Sequence, residues 1–262
     1  MSTKRVQLFG VEIDSLRMSE AVEQVIQWTN TPRTGAVRFV VTPNVDHTVL
    51  LQHNAGLRDA YADASLVLAD GWPVVWAAKM LGKPLPERVT GSDLVPALFS
   101  AATGGQPLRT FLLGAAPGVA KRAAESIHAK WPGVMVVGTY SPPMGFEHDE
   151  AENLRILERI AETQPQLLVV GLGAPKQELW VHRHRDKIEA NAALCVGATI
   201  DFLAGEKARA PRWMQQTGLE WLHRILVDPK RLAKRYAHDA VVFPRLVWRE
   251  WATAPRGAHF SK

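Results

Sequence analysis

The chain has 262 residues, 47% of them apolar and 22% charged, which excludes extended disorder and supports one large α/β domain or two small ones. Its only cysteine, Cys195, excludes an internal disulfide and, within AALCVGA, reads as a small core residue. The net charge of +5 is uneven: residues 207–262 hold 12 Lys/Arg against 4 Asp/Glu, and residues 1–206 hold 19 against 22.

A mildly acidic body with a basic tail calls for an anionic partner, whether membrane, nucleic acid or phosphate. No apolar run approaches the roughly 18 residues of a transmembrane helix. The opening MSTKRVQLFGVEID has charge but no apolar signal-peptide core, so a cytoplasmic protein is expected.

Residues 6–13 read as a hairpin around Gly10, and Ser19 can cap a helix carrying Val22, Val25 and Ile26. The β-branched run 37–41 predicts the first core strand. Thr42-Pro43-Asn44 ends it, since proline cannot continue a strand. One helix is predicted through Val49, Leu50, His53 and Leu57. Strand 65–69 then breaks at Asp70-Gly71, before helices from Trp72 to Leu81 and over 91–103, the latter with Ser92 or Asp93 near its start. Strand 109–113 closes in GAAPG and leads to a helix. Strand 134–138, a Pro/Gly loop over 141–148 and amphipathic helix 149–163 follow. Strand 167–170 enters GLGAPKQ, helix 176–190 follows, and strand 194–196 ends in Gly197-Ala198-Thr199. Short apolar strands alternating with helices indicate an α/β, Rossmann-like, mostly parallel sheet with helices on both faces. The composition break near residue 205 divides an α/β core, 1–204, from a basic helical appendage, 205–262.

In a parallel sheet the strand ends share one rim, so Thr42, Asn44, Asp70, Gly114, Gly171, Gly173, Gly197 and Thr199 are candidates for one ligand cleft. The glycine loops 114–118 and 171–177, with Gly114 and Gly173, suit a nucleotide diphosphate, because glycine lets backbone N–H groups approach phosphate. Neither loop is a dinucleotide fingerprint or a Walker loop. Lys176 reads equally as a solvated helix-start charge or a phosphate contact, and Gln177 is the more suggestive neighbour. Asp70 is the best acid/base candidate, with capping of the helix at Trp72 as the alternative. Arg88 with Thr90 and Asp93 fits either a diphosphate or sugar contact or a salt-bridged loop. His182 and His184 are two apart on a predicted helix, which favours a solvated His/Arg face at 182–187 over a metal site. In the tail, Leu219, Leu222, Ile225 and Leu226 make one apolar stripe and Leu232, Tyr236, Ala240 and Phe243 another. Arg224, Arg231 and Arg235 fall near one helical face, and four of the nine tryptophans lie here. That pattern suits an anionic membrane surface or a helix pair docked on the core.

These residues carry a resemblance. VTPNVD (41–46), LADG (68–71), ERVTGSDL (87–94), FLLGAAPG (111–118), VGLGAPKQE (170–178), GATIDFLAG (197–205) and RAPRWMQQTGLEWLHRIL (209–226) resemble the WecG/TagA/CpsF glycosyltransferases, glycosyltransferase family 26, over residues 6–250. The resemblance implies a GT-E type fold and an inverting transfer without metal or cofactor. The donor would be a UDP-sugar, namely UDP-N-acetylmannosamine, its uronic acid or UDP-glucose. The acceptor would be a sugar on polyprenyl diphosphate at the inner face of the cell membrane, for surface polysaccharide. It implies Asp70 as general base, Thr42 and Asn44 at the donor sugar, and Arg88 and Gln177 as further contacts. Arg224 and Arg231 would meet the diphosphate from a lid that also attaches to the membrane, with a third contact open between Lys234 and Arg235. No nucleic-acid partner is implied, and the oligomeric state stays open, a homo-oligomer included. The alternative reading is a non-catalytic Rossmann-like nucleotide-binding protein with a nucleic-acid-binding tail.

Overall fold

The computed structural model describes residues 4–102 and 105–253. In chain order these form β1 (Arg5–Leu8), β2 (Val11–Asp14), α1 (Met18–Thr29), β3 (Arg38–Val41), α2 (Val45–Leu50), α3 (Ala55–Ala62), β4 (Leu66–Val67), α4 (Trp72–Met80) and α5 (Gly91–Ala101). Next come β5 (Leu108–Gly114), α6 (Val119–Lys130), β6 (Val134–Tyr140), a 3₁₀ turn (Phe146–His148), α7 (Glu150–Thr163), β7 (Leu167–Gly171) and α8 (Lys176–His184). The chain ends with β8 (Ala192–Cys195), α9 (Thr199–Leu203), α10 (Arg212–Gln216), α11 (Glu220–Val227) and α12 (Pro229–Thr253).

Six strands form one parallel sheet in the order β4-β3-β8-β7-β5-β6, and β1 and β2 make the separate antiparallel hairpin expected around Gly10. Side chains alternate across the sheet with a period of two. Phe39, Val41, Leu168, Val170 and Cys195 join one core, while Val40, Leu167, Val169, Ala192 and Leu194 join the other. Both faces are covered at the centre, which is why β7 and β8 are apolar throughout, whereas the edge strand β6 is mostly half-exposed. The buried Asp14 ties the hairpin to the sheet edge: Oδ2 accepts from the Val67 N–H at 2.8 Å and Oδ1 from Arg5 Nε at 3.0 Å.

Several local expectations are corrected. Helix α1 is capped at Arg17 rather than Ser19, with the Arg17 N–H donating to Glu20 Oε2 at 2.7 Å. The single helix expected through Leu57 is two helices, because Asn54 accepts from the Leu57 N–H and starts α3. Helix α5 begins on Thr90, and Thr103, where it was expected to end, lies outside the described residues. Helix α8 stops at His184, which is buried against Trp180 with ring centroids 5.1 Å apart. Burial lowers its pKa, so the expected solvated face does not include it.

The glycine at position 114 answers to the sheet. Gly114 has φ +117, and a Cβ there would lie 2.5 Å from the Gly171 carbonyl oxygen, on the neighbouring strand. Gly114→Ala should therefore cost about 2–4 kcal/mol through strain and a backbone clash. Urea unfolding checks this, and an unchanged midpoint would mean the two strand ends separate freely.

Candidate active site

Parallel pairing sets the rim. β3 lies between β4 and β8, with Val41 opposite both Val67 and Cys195, so the chain leaves all three strands side by side. The Asp70 N–H donates to the Pro43 carbonyl at 2.8 Å, fixing Asp70 beside Thr42 and Asn44. Gly71, at φ +122, is the N-cap of α4, so Asp70 does not cap that helix.

Two cavities share Asp70 and Arg224 as walls. The smaller, about 70 Å³, is polar and lies over the rim between Thr42, His47, Ser92, Gln177 and Gly197. The larger, about 280 Å³, lies between the core and the appendage, with Asn44, Trp72 and Arg88 on one side and Glu220, Trp221, Tyr236 and Phe243 on the other.

Several of the candidate residues also brace their own surroundings. Thr42 is buried, with its hydroxyl 3.5 Å from the Cys195 carbonyl. Asn44 caps α2 by accepting from the His47 N–H at 3.2 Å. Gln177, 2% exposed, accepts from the Gly197 N–H at 3.0 Å and donates to Glu178 at 2.7 Å, which holds the Gly197 loop at the cavity wall. His47 is held at Nδ1 by the Tyr61 hydroxyl, 3.0 Å away.

Arg88 and Arg224 meet on one carboxylate. Glu220 Oε1 is 3.0 Å from Arg224 Nη2, and Oε2 is 3.5 Å from Arg88 Nη1. Arg88 also approaches Asp93 at 3.6 Å and lies 5.8 Å from the Trp72 ring centroid. Asp93 pairs with Arg209 at 2.6 Å and accepts from the Thr90 hydroxyl at 2.7 Å. Residues 88–93 thus form the ion-paired loop that was one of the two expectations, while Arg88 lines the larger cavity as well. Burial disfavours the charge on Arg224, but Glu220 and then Asp70 more than offset it, and the guanidinium stays cationic. Burial pushes the Asp70 pKa up to about 6, with Arg224 opposing, Glu220 adding to the rise, and Arg88 and His47 opposing again. A carboxylate with that pKa can take a proton from a hydroxyl near neutral pH.

The rim does not gather every candidate. Gly114 and Gly173 line neither cavity, although Ala174, next to Gly173, lines the smaller one. Lys176 pairs with Glu147 at 2.9 Å, so it is not a free charge at the helix start. Arg235 pairs with Asp46 at 3.4 Å, and Lys234 is exposed. Arg231 lies on α12, but its side chain is outside the described residues. Glu220, Arg209 and Asp239 escaped the sequence reading. The one available signal for Glu220 was its place in TGLEW, four residues before Arg224.

The appendage packs on the core through polar anchors as well as apolar ones. Trp72 Nε1 donates to the Gln215 carbonyl at 2.9 Å. Glu250 accepts from the Phe9 N–H at 2.7 Å and pairs with Lys83 at 3.2 Å. The Phe9 and Phe243 rings are 5.3 Å apart. Of the α11 stripe, for which a membrane surface and docking on the core were both expected, Leu219 and Ile225 are half-buried while Leu226 is 70% exposed. No helix among the described residues is long and apolar enough to cross a membrane.

Comparison with known proteins identifies the family. The model of the glycosyl transferase WecG/TagA/CpsF family matches residues 6–257. N-acetylglucosaminyldiphosphoundecaprenol N-acetyl-beta-D-mannosaminyltransferases of Staphylococcus aureus, from strains NCTC 8325 / PS 47 and MW2, are each 29% identical over 233 residues, 89% of this chain and 89% of theirs. A carboxylate with a raised pKa between two guanidiniums, at the C-terminal rim of a parallel sheet, sits within a match that spans nearly the whole length. The chain therefore belongs to the WecG/TagA/CpsF family and is a glycosyltransferase.

Proposed function

We propose that this chain moves a hexose or N-acetylhexosamine unit from a UDP-sugar to a sugar carried on polyprenyl diphosphate, with inversion and without a metal. The likeness to the staphylococcal enzymes favours N-acetylmannosamine as the unit and N-acetylglucosaminyl diphosphate as the acceptor head. The observation that carries the reading is Asp70, at the wall shared by a polar cavity and a larger one that holds four aromatic side chains, with Arg88 and Arg224 beside it.

In this reaction the acceptor oxygen forms a bond to the anomeric carbon as its proton passes to the Asp70 carboxylate. The bond from that carbon to the UDP oxygen breaks, and UDP leaves with the electron pair. Charge growing on the leaving diphosphate is met by Arg224 and Arg88, a role for fixed cations in a site shielded from water. The appendage acts as a lid over the rim and attaches the enzyme to an anionic membrane surface. Supporting this are the basic charge of residues 207–262 and the exposed Trp213, Trp221, Trp248 and Trp251.

Asp70→Asn should lower transfer at least about 100-fold while leaving UDP-sugar binding in place. Near-normal turnover would remove Asp70 from the role of base. In the unsubstituted enzyme kcat/KM should fall below pH about 6, as Asp70 takes up a proton. The same shift bears on stability. With its pKa raised in the fold, Asp70 stabilises the protein fully only below its unfolded value of 3.8, and this is lost as pH rises through about 6. Urea midpoints should therefore show Asp70→Asn more stable than the parent at pH 7.5 and equal to it below the unfolded value. EDTA should leave the rate unchanged, whereas loss restored by Mg²⁺ or Mn²⁺ would contradict cationic side chains as the diphosphate's partners. Replacing Trp248 and Trp251 by serine should weaken sedimentation with phosphatidylglycerol vesicles, and unaltered binding would take these tryptophans out of the membrane contact.

A further inference from the structure

The larger cavity carries a feature that general-base chemistry at Asp70 does not need. Its lining includes two further carboxylates, Asp46 from the core and Asp239 from α12. Asp239 is 3% exposed, and its Oδ2 has no hydrogen-bond partner among the described residues. A buried carboxylate oxygen without a donor is costly to keep, and the cost is relieved when a ligand supplies one. Asp46 pairs with Arg235 at 3.4 Å, and Asp239 Oδ1 lies 3.7 Å from His238 Nδ1.

A phosphate placed beside Asp46 and Asp239 would meet like charge. A purely apolar group would leave Oδ2 unpaired. The other walls include four aromatic side chains, Trp72, Trp221, Tyr236 and Phe243, while the cavity's guanidiniums, Arg88 and Arg224, act on Asp70 together with Glu220. Flat apolar rings together with carboxylate acceptors suit a neutral sugar, whose C–H face packs on an aromatic side chain while its hydroxyls donate. The volume, about 280 Å³, is at the small end of ligand sites and fits a ring better than a long lipid chain.

We propose that the Asp46/Asp239 end of this cavity is the subsite for the acceptor's neutral sugar ring, with Asp239 accepting a hydrogen bond from a hydroxyl or amide N–H of that ring. The proposal rests on the transfer reading given above. The ring is assigned to the acceptor because the polar cavity lies at the strand ends, where open parallel sheets hold nucleotides, and the donor's diphosphate then reaches past Arg224, a wall of both cavities, to Arg88 at the near end of the larger one. The group that attacks then enters from the appendage side, and Asp70 stands between the two. Asp239 would select the acceptor by its hydrogen-bonding pattern, since a site built around a buried acceptor discriminates against rings lacking the matching donor.

The test uses the full chain with Asp239→Ala and Asp239→Asn. Circular dichroism melting verifies that both variants fold. The donor is UDP-N-acetylmannosamine and the acceptor is N-acetylglucosaminyl diphosphate bearing a short alkyl chain. The acceptor KM should rise about tenfold or more in Asp239→Ala and less in Asp239→Asn, with the donor KM unchanged. An unchanged acceptor KM, or an equal rise for the donor, overturns the subsite. The acceptor is also titrated without donor, following tryptophan fluorescence. If the parent chain binds it and Asp239→Ala binds it about tenfold more weakly, the subsite stands even where no transfer is seen, and only the transfer reading falls. If the two bind alike, or the parent does not bind it, the subsite is overturned.

Discussion

Asp70 is half-buried, and Arg224, Arg88 and His47 favour its charge there against burial and the nearby Glu220. The two guanidiniums would repel each other without a shared partner, and Glu220 supplies one oxygen to each. Asp93 then pairs with Arg88 and Arg209. Among the described residues this cluster balances, three guanidiniums against Glu220, Asp93 and an ionised Asp70. Protonating Asp70 leaves one positive charge in excess. In the proposed transfer that proton arrives as the leaving UDP gains one negative charge. The site's charge therefore rises when and where the leaving group needs it, with no ion moving and little reorganisation.

The same cluster explains why the appendage and the core act as one unit. Arg88 comes from the loop before α5, whereas Glu220 and Arg224 come from α11. Trp72, at the start of α4, sits at the joint. Its ring nitrogen donates to Gln215, Arg88 lies over its ring, and Gly218 packs so tightly on it that a Cβ there would lie 3.0 Å from the Trp72 Cβ. At φ +79, Gly218 turns the chain between α10 and α11 and brings Glu220 to the cavity. Neither half closes the larger cavity alone.

Much of this was legible in the sequence, because strands and their ends leave local signals. An apolar run broken by Asp70-Gly71, or by Thr42-Pro43-Asn44, marks a rim position whatever the rest of the chain does. Glycine was ambiguous. At Gly114 a phosphate loop and a close strand approach look alike in GAAPG, and the close approach to the Gly171 carbonyl is the one visible in the fold. Glu220 and Asp239 were hidden for another reason. A glutamate in the first turn of a helix is ordinarily a favourable but dull charge, and an aspartate beside His238 in a basic helix looks solvated. Their roles come from contacts across more than a hundred residues, or from a buried oxygen left unpaired, and neither has a local pattern. His184 misled in the opposite sense: its charged neighbours suggested solvent, but the helix turns it onto Trp180.

The appendage presents two kinds of apolar surface, and their separation is informative. Phe243 and Tyr236 face inward and wall the cavity. Leu226, Val227, Trp248 and Trp251 remain outside, 70%, 60%, 67% and 54% exposed. A helix that only docked on the core would bury its one apolar stripe and leave the rest polar. Here α11 and α12 keep apolar residues on view within the most basic part of the chain, a combination that costs solubility unless another surface covers it. A bilayer carrying the acceptor would cover it and would bring the acceptor's sugar to the side of Asp70 on which the larger cavity lies. In the proposed transfer the outer face and the cavity would be two parts of one route, the first holding the appendage at the lipid surface and the second receiving the sugar head.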